Sequence, residues 1–196
     1  MDNNEITTEK EIKAKKPKEK TDLCRSVFEW VELVAISITV VMVILNCFAR
    51  YSPVNGASMN ETLQHEDVLI LSDLFYTPKN GDIVVFESQQ TGYDEPYVKR
   101  VIATEGQVVD YDPDSGKVTV DGVEPHWEQY ATHKGNKRNV YMAEITYPYT
   151  VPEGHIFVMG DNRWNSRDSR DIGPVDTRTV LGRVVFRLFP NTGIVD

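Results

Sequence analysis

Cysteine is scarce in this chain of 196 residues: Cys24 and Cys47 are the only two, and both precede residue 50. Residues 50 to 196 therefore hold no disulfide and no thiolate metal site, and must fold on an apolar core alone, which a segment of that length can bury. Basic residues are in deficit as well, 21 Lys and Arg against 30 Asp and Glu, for a net charge of -9. Phosphate backbones are bound through clustered cations, so this balance argues against nucleic acid as a partner. His65, His126, His133 and His155 show no His-x-x-x-His spacing. With no cysteine beside them they form no recognisable zinc set, and no metal or organic cofactor is expected. The chain also lacks a G-x-S-x-G elbow, a P-loop and a G-x-G-x-x-G turn, which removes the commonest hydrolase, nucleotide and dinucleotide readings. No internal repeat is evident. What remains, 40% hydrophobic and 26% charged residues, is ordinary for one folded domain with an appendage.

The appendage is N-terminal. Residues 1–26 are polar, with Lys10, Lys13, Lys15, Lys16, Lys18, Lys20 and Arg25 among acids, and read as a disordered cytoplasmic tail. From Leu33 to Ala49 no residue is charged. Val27, Phe28, Trp30 and Val31 extend this run, so residues 27–49 are expected to form a transmembrane signal-anchor helix in a lipid bilayer. Six Lys or Arg lie within twenty residues on its N-terminal side, and Arg50 alone follows it. That bias predicts a single-pass protein of the cell membrane with a cytoplasmic N-terminus and an extracytoplasmic domain from 50 to 196. Two readings compete: a buried core helix, which would carry a polar stripe, and a cleaved leader, whose apolar run would exceed the usual 7 to 15 residues. Ser58 follows Ala49 by nine residues, a span of at most roughly 30 Å. Tyr51, Pro53 and Val54 in that span suit a membrane interface.

Beyond Arg50 the pattern changes to short runs rich in Val and Ile between turn residues. They are Val68–Leu71, Asp82–Phe86, Tyr97–Ile102, Gln107–Tyr111, Lys117–Val120, His155–Met159 and Val180–Phe189. Asp112-Pro113-Asp114-Ser115-Gly116 and Asp121-Gly122 read as tight hairpin connections. No helical period is sustained here, so the expected fold class is mostly β, an antiparallel sheet. Residues 122–150, with five aromatics and few Val or Ile, read as a small insertion.

Four segments are not explained by composition: Gly56-Ala57-Ser58-Met59-Asn60-Glu61-Thr62-Leu63, Asn80-Gly81-Asp82-Ile83-Val84-Val85-Phe86, Tyr97-Val98-Lys99-Arg100-Val101-Ile102, and Gly160-Asp161-Asn162-Arg163-Trp164-Asn165-Ser166-Arg167-Asp168-Ser169-Arg170. Lys99 lies in an expected strand between the bulky same-face neighbours Tyr97 and Val101, so its ammonium should face the interior. A solvated lysine, with a pKa of about 10.4, is neutral in only about one molecule in 250 at pH 8, whereas desolvation by roughly 2 units raises that to about a third. A neutral amine can take the proton of a serine hydroxyl, otherwise a poor nucleophile. In this order the four segments resemble the boxes of type I signal peptidases, membrane-bound serine proteases that remove signal peptides from exported proteins. The string G-D-N-R-x-x-S-x-D-S-R carries most of the specificity.

The resemblance implies Ser58 as nucleophile and Lys99 as general base, with the oxyanion held partly by the Ser58 N–H. It implies that Ser166 orients the lysine amine and that Asp161, Arg163, Asp168 and Arg170 hold the site together. Gly56, where many members have Ser or Gly and where this chain offers no hydroxyl, and Met59 would shape the substrate groove. Preprotein signal peptides are the implied partners. The chain departs from the family pattern at Glu61-Thr62, in place of Pro-Thr, and at Ala103 and Gln107, in place of glycine and aspartate. Asn60-Glu61-Thr62 is also a glycosylation sequon, which with a lysine at position 99 favours a bacterial source. Two rival functions remain, a self-cleaving Ser-Lys protease of the repressor type and a catalytically silent membrane-anchored peptide-binding paralogue.

Overall fold

The computed structural model describes residues 19–48, 50–87, 95–132, 145–190 and 192–195. They belong to two compact units, Met1–Leu45 and Asn46–Asp196. The first contains most of helix α1, Glu19–Phe48. Its Arg25–Val43 segment has a mean hydropathy of 1.9, is nowhere buried, and is long and apolar enough to cross a membrane. The hydroxyls of Ser37 and Thr39 donate to the Leu33 and Ala35 carbonyls one turn back, both at 2.8 Å, which keeps these polar atoms satisfied inside the apolar stretch. The helix begins at Glu19, so residues 19–26 are helical rather than part of a disordered tail. The rest of the expected tail, residues 1–18, lies outside the described residues.

The second unit is built from eleven strands among the described residues: β1 (Arg50–Pro53), β2 (Val68–Ser72), β3 (Ile83–Phe86), β4 (Tyr97–Thr104), β5 (Val108–Tyr111), β6 (Val118–Val120), β7 (Tyr149–Thr150), β8 (His155–Met159), β9 (Val175–Asp176), β10 (Val180–Phe189) and β11 (Gly193–Ile194). One sheet runs β1-β2-β10-β3-β4-β8-β9, with β11 also on β10, and a smaller one runs β6-β5-β7. Every pairing between these strands is antiparallel. A short helix, α2 (Ser169–Ile172), follows β8. Strand pairing places Lys99 opposite Val84 and Arg100 opposite Ile83 and Met159, at the centre of the large sheet.

Three apolar clusters hold the unit together, and β4 supplies all of them. Val98 joins Val54, Met59, Leu63 and Leu69; Ile102 and Ala103 join Val109, Val118 and Phe157; Val101 joins Val84, Phe86 and Ile156. Both faces of β4 are therefore covered, which is why its interior residues are all buried instead of alternating. Ala103 fills space in the second cluster with its methyl group. Gln107 replaces an acidic position without loss of an acceptor. Its amide oxygen takes bonds from Thr104 N (2.9 Å) and Asn80 Nδ2 (2.7 Å), while its Nε2 donates to Asp121 (3.0 Å).

Three expectations are corrected here. Arg50–Pro53 is a strand paired with β2, and Val54 is 3% exposed, so the connection to Ser58 is folded into the sheet and Val54 is not an interface residue. Residues 122–150 are only partly an insertion, because β7 adds a third strand to the small sheet and Trp127, Ile145, Tyr147 and Tyr149 pack on its core. Residues 133–144 of that segment lie outside the described residues. Met59, 1% exposed, sits in the core rather than on a groove wall.

Candidate active site

Ser58 lies in the turn that follows β1, and Lys99 is the third residue of β4. The fold brings them together: Lys99 Nζ donates to Ser58 Oγ at 2.8 Å and to the Val98 carbonyl at 2.9 Å. The Tyr97 ring lies 5.4 Å from the same nitrogen. Lys99 is 3% exposed, whereas Ser58 is half-buried and open to a groove. That groove, about 290 Å³, runs between Val54–Ser58 and Glu95–Lys99, with Asn165 and Arg167 on its rim. Gly56 is part of its wall. The Ser58 N–H donates to no acceptor among the described residues.

The Ser58 main chain is fixed by the box that follows β8. Asn162 N donates to the Ser58 carbonyl (3.0 Å) and Asn162 Nδ2 to the Ala57 carbonyl (3.2 Å). Gly160 sits between this carbonyl and Ser166. A β-carbon at position 160 would fall 2.4 Å from Ser58 O and 2.2 Å from Ser166 Oγ, so the approach requires glycine. Ser166 is buried beside Asp168, next to the charged support of the box.

That support consists of three buried ion pairs. Arg100 grips Asp161 through Nε (2.9 Å) and NH2 (2.8 Å), and both side chains are 1% exposed. Thr62 Oγ1 adds a third bond to Asp161 at 2.6 Å, so the threonine of the departing Glu61-Thr62 pair is tied to the site. Arg170 binds both oxygens of Asp168 at 2.8 Å and also donates to Tyr111 Oη and the Arg163 carbonyl. Arg163 pairs with Glu128 through NH1 and through NH2 at 2.7 Å. Asp161, Arg163, Asp168 and Arg170 were visible as a charged string in the sequence. Arg100, Glu128, Thr62 and Tyr111 were not, although Arg100 directly follows Lys99 and its burial on a covered strand was a usable signal.

Asp168 accepts from Gly160 N (3.0 Å) and caps α2. Burial alone would push its carboxyl up, but the charge and hydrogen bonds of Arg170, with that of Gly160 N, outweigh this and bring the pKa down from 3.8 to about 2. The carboxyl is more acidic in the folded state than in the unfolded chain. Its contribution to stability is therefore complete above about pH 4 and disappears as pH falls through about 2. Denaturant unfolding between pH 5 and 2 should show a loss of about 2 kcal/mol from this group. Asp168→Asn should flatten that part of the profile, and an unchanged slope in the variant would contradict the assignment.

Comparison with known proteins reaches the same region. The sequence model of the family described as "Signal peptidase, peptidase S26" matches residues 27–189. A "Probable signal peptidase I-1" of Synechocystis sp. is 37% identical over 151 residues, 72% of this chain and 70% of the relative. "Signal peptidase I" of Bacillus licheniformis is 32% identical over 177 residues, 87% of this chain and 92% of the relative. The Bacillus caldolyticus protein of the same name is 36% identical over 168 residues, 82% and 90% of the two chains. The match runs from the apolar helix through Ser58, Lys99 and the 160–170 box to the end of β10, and on it the chain belongs to the signal peptidase family, peptidase S26, and is a peptide-bond hydrolase.

Proposed function

We propose that the protein is a membrane-anchored serine endopeptidase that removes signal peptides from exported preproteins, with Ser58 as nucleophile and Lys99 as general base. The observation that carries this reading is the 2.8 Å contact between Ser58 Oγ and an almost fully buried Lys99 Nζ at the end of an open groove. Once the amine is neutral, the direction of that hydrogen bond reverses, and Ser58 donates. Oγ then attacks the scissile carbonyl while its proton passes to Lys99. The C–N bond breaks, Lys99 returns the proton to the leaving amine, and water, deprotonated by the same lysine, releases the acyl group from Ser58. The Ser58 N–H is available for the oxyanion. Ser166, Asp161, Arg163, Asp168 and Arg170 support the site without entering the reaction.

Helix α1 serves as the anchor, and the six Lys or Arg between residues 13 and 25, on the N-terminal side of its apolar run, favour a cytoplasmic N-terminus with the peptidase unit outside. Relatives named signal peptidase I support the substrate class. An extended peptide laid beside Tyr97–Lys99, the part of β4 that pairs with β3 but lies outside the register with β8, would turn alternate side chains into a groove of this modest volume. Small residues should therefore be required at the first and third positions before the cut. A preprotein with alanine at both should be cleaved there, and phenylalanine or lysine at either should lower kcat/KM on the order of 100-fold. Equal cleavage of all of these would remove the signal-peptide reading even with proteolysis established.

A further inference from the structure

The segment His126–Thr132 touches both halves of the ion-pair support, although nothing in its own composition marks it as part of a site. Glu128 holds Arg163 through both guanidinium amines, and the two side chains are 8% and 1% exposed. Tyr130 lies over the Arg100 guanidinium, 4.9 Å from ring centroid to carbon. Trp127 packs against Gly81, whose carbonyl accepts from Arg100 NH1 at 2.8 Å. Thr132 donates from N to the Asp161 carbonyl (2.7 Å) and from Oγ1 to the Asn60 carbonyl (3.0 Å), and accepts from Arg163 N (2.9 Å).

We propose that Glu128 is a positioning residue for the Ser58–Lys99 pair, acting through Arg163. The route is short. Arg163 Nε donates to the Gly160 carbonyl (3.2 Å), and Gly160 and Asn162 are the residues against which the Ser58 carbonyl rests. Removing the Glu128 charge frees one end of a guanidinium whose other end sets the 160–162 turn, so Ser58 loses its register with Lys99 while the substrate groove, lined from Val54–Ser58 and Glu95–Lys99, keeps its walls. Near-nucleophile geometry is unforgiving, since a displacement of about 1 Å costs on the order of 100-fold. Loss of the charge alone should allow a smaller movement than that.

The inference rests on the Ser58–Lys99 reading, and the test separates the two. Glu128→Gln keeps size but loses the charge and replaces one of the two acceptor oxygens with a donor amide. With full-length protein in detergent and a preprotein substrate, it should lower kcat roughly tenfold with KM within about twofold. Glu128→Asp, which restores the carboxylate, should recover part of the loss. Circular dichroism and the melting temperature serve as the control for folding. Wild-type kcat in Glu128→Gln, a loss confined to KM, no recovery in Glu128→Asp, or a loss that matches the fraction unfolded would each overturn the positioning role. Ser58→Ala is assayed alongside: if it remains active, the Ser58–Lys99 reading has failed, whereas an inactive Ser58→Ala beside a normal Glu128→Gln defeats only the role of Glu128.

Discussion

Ser58→Ala and Lys99→Ala should each reduce preprotein cleavage on the order of 10,000-fold or more, and the double variant should be no worse than either single one. In the proposed mechanism the two groups act on one proton, so removing the acceptor or the donor stops the same step. Lys99→Arg should be as inactive as Lys99→Ala, because a guanidinium stays protonated and has no lone pair to offer. Neither alanine variant should unfold the protein. Ser58 is half-buried in a turn whose main chain is held by Asn162, and Lys99→Ala shortens one side chain on a strand that keeps its pairing with β3 and β8. The same role predicts a rate that rises with pH and levels off before about 10.4, where a solvated lysine titrates. Substantial turnover by either alanine variant, measured with folded protein by N-terminal sequencing of the product, would sink the assignment.

Gly160→Ala should rank next in effect. The added carbon would lie 2.4 Å from Ser58 O and 2.2 Å and 2.5 Å from the Oγ and Cβ of Ser166, all well inside van der Waals contact. Ser166 is buried, so it has little room to withdraw. The other neighbour is the main chain of Ser58. Either movement disturbs the site, and a shift of about 1 Å at Ser58 predicts a loss on the order of 100-fold in kcat. Overpacking should also cost about 1 to 3 kcal/mol of stability. Steady-state kinetics with a thermal melt measures both, and a variant with normal kcat would show that the close approach has no bearing on catalysis.

Much of the fold was legible because it rests on local patterns. His155–Met159 and Val180–Phe189 match their sequence-derived limits, since a run of β-branched and apolar residues between turn residues specifies a strand by itself. The turn after β5 was equally readable. Asp112 accepts from Asp114 N and Ser115 Oγ, and Gly116, with φ of 74°, takes the conformation that other residues avoid. Strands β1, β7, β9 and β11 were missed because two to four residues carry no period. Val175–Asp176 is a strand only because His155 and Ile156 lie beside it.

The same division runs through the site. Sequence alone determined which residue types were present: a serine and a lysine in separate segments, a charged string at 160–170, and an apolar helix long enough for a membrane. It did not determine who meets whom. Lys99 reaches Ser58 across 41 positions, Arg100 reaches Asp161 across 61, and Arg163 reaches Glu128 across 35. Met59, next to Ser58 in sequence, instead turns into the core. Local propensity encodes backbone shape over a few residues. Which buried charge faces which is set by the order of strands in the sheet and by the need of every buried ion for a partner, and only the tertiary structure decides that.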